Sequence, residues 1–188
     1  MGFGFKNLFL NILFVLILNY SFFLSFTYST YHIDPWHWGT IASESIDYIL
    51  GFKLFKEITL MYGPGMPIFF KIINFFFPIN YFSIGIVTSV VYIINLSLNY
   101  FIFLKLSNKT IATTLLFILF ILNPYPQAPW SDFYAGLCLT LSAFFILKSN
   151  KQNFSPYLAG FFLSLAIVFR NTYFLTIVQS IIFFAIPI

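Results

Sequence analysis

Five acidic side chains, confined to a few short windows, are the residues in this chain best suited to carry chemistry. The first lies in Tyr31-His32-Ile33-Asp34-Pro35-Trp36-His37-Trp38-Gly39, directly after an apolar stretch. Pro35 stiffens the backbone beside Asp34, and Trp36 and Trp38 suit the headgroup level of a bilayer. A carboxylate held this way can act as a general base toward an acceptor hydroxyl or amine, or it can cap a helix that begins near Gly39. His37 can bind a phosphate, orient the carboxylate or stack in the interface. Asp132 follows a loop stiffened by Pro124, Pro126 and Pro129, and it offers either a second active-site carboxylate or an N-cap. Arg170 is the sole arginine and interrupts the apolar run from Leu158 to Ile188. Its guanidinium requires an anionic partner or access to headgroups, and its donor fork matches phosphate.

Asp34 and His37 stand three residues apart, a spacing compatible with a divalent ion if Asp132 supplies a further oxygen. His32, Glu44 and Asp47 compete for that role, so a divalent metal stays an open alternative and no cofactor is assigned. The sequence has no phosphate-binding glycine loop, dinucleotide-binding glycine pattern, zinc-protease motif or serine elbow. Cys138 is the single cysteine and lies in an apolar run, so it reads as a small buried hydrophobe.

These residues sit in an unusually apolar chain: 60% of it is hydrophobic and 7% charged, with 29 Phe and 12 Tyr. A water-soluble domain of this size has too much surface to hide that composition, so the bilayer must be the solvent. The formal charge of +4 comes from lysines placed between apolar blocks rather than from a basic aromatic patch, which excludes nucleic acid as a partner.

A membrane-spanning helix needs about 20 apolar residues. Leu8 to Thr27, Phe82 to Leu104, Ile111 to Tyr125, Trp130 to Leu147 and Tyr157 to Phe169 meet or approach this, and Tyr173 to Ile188 makes a sixth. The first is longer than a signal-peptide core and lacks a small-residue cleavage site, so it reads as a retained span. Lys6, Lys105, Lys109, Lys148 and Lys151 fall at the N-terminus and in two connections, which the positive-inside rule assigns to the cytoplasm. Every acidic residue then lies outside.

Between the first two spans, residues 28 to 81 form an external loop. In it Ile41, Ser45, Tyr48, Ile49 and Phe52 recur at helical spacing, with Ser43, Glu44 and Asp47 on the wet side of an amphipathic helix. Tyr62-Gly63-Pro64-Gly65 reads as a turn resting on glycine freedom and a fixed proline angle. Gly65 to Pro78 is too short to cross and reads as interfacial. The expected fold is an all-α polytopic membrane protein of about six spans, with two interfacial helices after the first.

In its order of features the chain resembles the N-terminal membrane module of the GT-C glycosyltransferases, polytopic enzymes that take sugars from polyprenyl-phosphate carriers. The resemblance rests on Asp34 in Asp-Pro-Trp-His-Trp-Gly after the first span, the amphipathic helix, and the Tyr62-Gly-Pro-Gly65 turn. It continues through Asp132 opening the fourth span and Leu158-Ala-Gly160-Phe-Phe-Leu-Ser-Leu-Ala-Ile-Val-Phe-Arg170. It covers nearly all of residues 1–188. It implies Asp34 as catalytic base and Asp132 as second active-site carboxylate. It also implies that His37, Tyr62 and Arg170 contact substrate, Arg170 through the carrier phosphate. The implied partners are a polyprenyl-phosphate-linked sugar, an acceptor and membrane lipid, at the outer face of the cytoplasmic membrane.

Members of that family commonly run to several hundred residues. The expectation is therefore that these 188 residues are a truncated N-terminal portion that lacks a C-terminal region and has doubtful activity alone. A transporter or lipid flippase, which would favour charges near the midplane and paired broken helices, and a noncatalytic membrane assembly protein are the competing readings.

Overall fold

A computed structural model describes residues 2–31, 37–122, 131–148, 155–175 and 178. Seven helices lie among them: α1 Gly2–Tyr31, α2 His37–Leu50, α3 Gly65–Asn74, α4 Tyr81–Leu106, α5 Lys109–Leu122, α6 Ser131–Lys148 and α7 Ser155–Phe169. The protein is all-α, as expected, and each expected helical segment up to Phe169 overlaps one of these helices, with α1 beginning six residues before Leu8 and α3 ending four before Pro78.

Among the described residues three helices are long and apolar enough to cross a membrane: α1 over Lys6–Tyr31, α4 and α6. The other two expected spans come out short. With 14 and 15 residues and a rise of about 1.5 Å per residue, α5 and α7 reach roughly 21 to 23 Å, against a hydrocarbon core of about 30 Å. The sixth expected span, Tyr173 to Ile188, lies mostly outside the described residues.

Local chemistry sets the helix boundaries. Asn80 Oδ1 accepts from the Ser83 N–H and Ser83 Oγ accepts from the Asn80 N–H, each at 2.9 Å, a reciprocal capping box that starts α4. Asn108 Oδ1 accepts from the Ile111 N–H and starts α5. Helix α2 ends at Gly51, whose φ of +106° lies in the region that favours glycine.

Two apolar clusters hold the helices together. One gathers Ile41, Met66, Phe70, Ile84, Tyr134, Cys138 and Phe169, and so joins α2, α3, α4, α6 and α7. The other gathers Ile17, Tyr92, Leu96, Tyr100, Ala112 and Leu116 from α1, α4 and α5. A buried hydrogen bond of 3.0 Å between Thr88 and Tyr134 ties α4 to α6. Helix α1 approaches the start of α4 closely enough that a Cβ on Gly85 would collide with Thr30 Oγ1.

Lys105 and Lys109 mark one end of this bundle. Lys105 Nζ donates to the Leu147 carbonyl at the end of α6, and Lys109 Nζ donates to the Asn7 carbonyl near the start of α1. The N-terminal segment, the α4–α5 turn and the end of α6 are therefore neighbours. The starts of α4 and α6 and the end of α7 lie at the opposite end.

Candidate functional site

At that opposite end, side chains from three distant parts of the sequence converge. Asp132 lies in the first turn of α6, and Arg170 follows directly after α7. Each sits where the dipole of its helix favours its charge. Because α6 and α7 are antiparallel neighbours, the two meet, and Arg170 Nη1 bonds Asp132 Oδ2 at 2.8 Å with both side chains partly exposed. The guanidinium also lies over the Tyr62 ring, 4.8 Å from its centroid, a cation–π contact. Asp132, Arg170 and Tyr62, each singled out from sequence, thus form one cluster.

The cluster includes side chains that sequence reasoning passed over. Arg170 Nε donates to Thr172 Oγ1 at 3.2 Å, Nη1 reaches the buried Ser131 Oγ at 3.5 Å, and Tyr173 lies within electrostatic reach of Asp132 and Arg170. Ser131 and Tyr173 were expected only as parts of spans. The polar run Arg170-Asn171-Thr172-Tyr173 was the available signal. It marks a break at the end of α7, after which residues 172–175 begin a new helical turn.

The turn that brings Tyr62 here needs its glycines for clearance rather than for backbone freedom. Neither Gly63 nor Gly65 has a positive φ. A Cβ on Gly63 would come within 2.6 Å of the Val168 carbonyl oxygen, and one on Gly65 within 2.7 Å of Phe169 Cα. The turn is therefore seated directly on the backbone at the end of α7, next to Arg170. The expected role of glycine freedom is corrected accordingly: the backbone angles are ordinary and the space is not.

A second correction concerns Glu44, expected on the wet face of α2. It is buried, and its Oε1 accepts from the Met61 N–H at 2.8 Å, one residue before Tyr62. Helix α2 lies against the 58–61 segment as well as against α3, so helical spacing alone misassigned its faces. Burial raises the Glu44 carboxyl above its ordinary value, while the Met61 N–H acts the other way. A raised folded-state value means that this group's contribution to stability is fully present below the unfolded value and is lost as pH rises through the folded one. Amide exchange at Met61 should therefore quicken as pH rises through that window by more than the intrinsic chemistry accounts for. Glu44→Gln, which keeps an acceptor, should remove the excess; an unchanged excess in the variant would place the titration elsewhere.

Asp34 lies outside the described residues, and so does the side chain of His37, the first residue of α2. The elements that flank Asp34 do reach the cluster's end of the bundle. Thr30 on α1 meets Gly85 at the start of α4, and Ile41 on α2 shares a core with Tyr134 and Phe169. Among the described residues no group of three or more His, Cys, Asp or Glu side chains is placed to hold a metal ion.

Chemically, the cluster is a cation fixed in place by a carboxylate, an aromatic face and hydroxyls. The guanidinium has five N–H donors, of which those on Nε and Nη1 already meet Thr172 and Asp132. An anion docking on Arg170 would share it with Asp132. No protein-family model, curated protein or solved structure matches this chain.

Proposed function

We propose that this protein is a membrane glycosyltransferase of the GT-C type, moving a sugar from a polyprenyl-phosphate carrier to an acceptor at the outer face of the cytoplasmic membrane. The observation that carries the reading is the convergence of Asp132, Arg170 and Tyr62 at the end of the bundle opposite its lysine-rich turns. In this reading the lysine end is cytoplasmic, the N-terminus included, and about six helices cross the bilayer. Helices α2 and α3 rest on the outer face.

The reaction needs one base and one anion holder. Asp34 takes the proton of the acceptor hydroxyl or amine as the acceptor attacks the anomeric carbon. The bond between that carbon and the phosphate oxygen breaks, and polyprenyl phosphate leaves with the electron pair. Arg170 meets the phosphate as its charge develops, while Tyr62 and Asp132 hold the guanidinium in place and His37 contributes a further polar contact. Polyprenyl phosphate is already a reasonable leaving group, so positioning and charge stabilisation supply most of the catalysis.

The test is transfer of labelled sugar from a polyprenyl-phosphate donor in membranes carrying the protein, compared with membranes without it. Transfer should depend on the protein, and Arg170→Gln should lower it about 10- to 100-fold, the worth of one charge-assisted hydrogen bond to phosphate. Protein-independent transfer, or none with a range of donor sugars, would sink the proposal.

A further inference from the structure

Opposite charges and apolar side chains divide the α2–α3 pair unevenly. Glu44, Asp47 and Glu57 border one side of it together with Ser43 and Thr59. The other side gathers at the C-terminal ends of both helices, which are tied by Lys71: its Nζ donates to the Tyr48 carbonyl at 3.1 Å and lies 4.1 Å from the Tyr48 ring centroid.

Beyond those ends the chain displays large apolar groups. After α3, Phe75, Phe76 and Phe77 are 82%, 73% and 60% exposed, in a turn held by N–H donation to the Ile72 and Ile73 carbonyls. After α2, a tight turn is built on the Lys53 carbonyl, which accepts from the Lys56, Glu57 and Ile58 N–H groups. At its tip Phe55 has a φ of +64° and is 76% exposed. A bulky residue in the left-handed region costs about 1 to 3 kcal/mol, and a ring this exposed has little burial to offset that. Exposed Lys53 and Lys56 flank it, while Glu57 folds its carboxylate back onto the Lys53 N–H at 2.7 Å.

We propose that the Phe52–Lys56 turn and the Phe75–Phe77 turn together form an anchor that inserts into the outer leaflet and takes the phosphates of anionic lipids on Lys53 and Lys56. Two features select lipid over a protein partner. In the first turn Phe52 and Phe55 alternate with Lys53 and Lys56, which suits an apolar layer bounded by phosphates. The Phe75–Phe77 turn also leads through Pro78 into Tyr81 and Phe82 at the start of α4, both exposed and on a helix able to cross a membrane. The anchor would fix the depth of α2 and α3, and through the Tyr62 turn that of the Arg170 cluster. It rests on membrane insertion of α4 and is independent of sugar transfer.

The experiment uses the full chain in nanodiscs of phosphatidylcholine, with or without phosphatidylglycerol, in a Cys138→Ala background. An environment-sensitive fluorophore is attached in turn at Phe55→Cys, Phe76→Cys, Ser43→Cys and Ile94→Cys, and quenching by spin-labelled lipid is read. Probes at 55 and 76 should show blue-shifted emission and be quenched by lipid, while the probe at 43 should behave as in water. Added phosphatidylglycerol should raise the equilibrium ratio of inserted to free turn at 55 by about fivefold per lysine, a gain that Lys53→Gln with Lys56→Gln abolishes. Phe55→Gly, which relieves the backbone and so keeps the fold, should lower quenching at 76.

Water-like emission at 55 and 76 would overturn the anchor, as would shielding there without lipid quenching, the mark of a protein partner or a second copy. The probe at 94, in the middle of α4, separates the two ideas. If it is quenched while 55 and 76 are not, only the anchor fails; if it is not quenched, membrane insertion of α4 fails as well.

Discussion

Asp34→Asn is expected to lower sugar transfer by about 10² to 10⁴-fold, the usual worth of a positioned general base. The amide matches the carboxylate in size and keeps an acceptor oxygen, so donor and acceptor binding should persist while kcat falls. In the proposed mechanism what it loses is the capacity to take the acceptor's proton as the bond to the anomeric carbon forms. Asp34→Glu, one methylene longer, should retain part of the rate because the base survives at a shifted position. The pattern differs from that of Arg170→Gln, where a lost phosphate contact should weaken donor binding as well as turnover. Full transfer by Asp34→Asn would take the base role from Asp34 and leave the acceptor's proton to another group.

The second large effect is structural. Gly65→Val should destabilise the protein by about 1 to 3 kcal/mol, because its Cβ would stand 2.7 Å from Phe169 Cα and 2.8 Å from the Phe169 ring. Trimming Phe169 would relieve the ring contact but not the contact with the backbone, so Gly65→Val should stay destabilised on a Phe169→Leu background. Gly85 is the opposite case. Its close neighbour is the Thr30 hydroxyl, a side-chain atom, and Thr30→Ala should accommodate Gly85→Ala. Thermal unfolding in detergent of the four single variants and the two doubles reads both pairs. A Gly65→Val protein as stable as the parent would mean that the 62–65 turn is not seated on α7. Where the turn does lift away, Tyr62 leaves the Arg170 guanidinium, so transfer should fall along with stability.

The elements were legible along the chain because their signals are local. Apolar runs bounded by lysine, proline and asparagine mark α4, α5, α6 and α7 to within a few residues and α1 to within six. Gly51 and the polar stretch after it mark the end of α2. Glu44 was not legible in this way. Helical spacing shows which residues share a face, but the wet face is set by what packs there, and the 58–61 segment returns to cover it. Gly63 and Gly65 suggested a turn from their type alone, yet their use as clearance for the end of α7 depends on a partner more than a hundred residues away.

The acidic and basic side chains show the same division. Composition and spacing alone determined that the chain is helical and membrane-like, that Lys6, Lys105, Lys109, Lys148 and Lys151 stand apart from the acidic windows, and that Asp132 and Arg170 stand at helix ends, because hydrophobic periodicity and charge placement are properties of neighbouring residues. Only the tertiary structure decided that Asp132 and Arg170 bond each other at 2.8 Å, that Tyr62 lies against the guanidinium, and that Ser131, Thr172 and Tyr173 complete the cluster. Those contacts depend on the antiparallel pairing of α6 with α7 and on the seating of one turn against a distant backbone. Both are set by side-chain volume across helices, which no local pattern encodes.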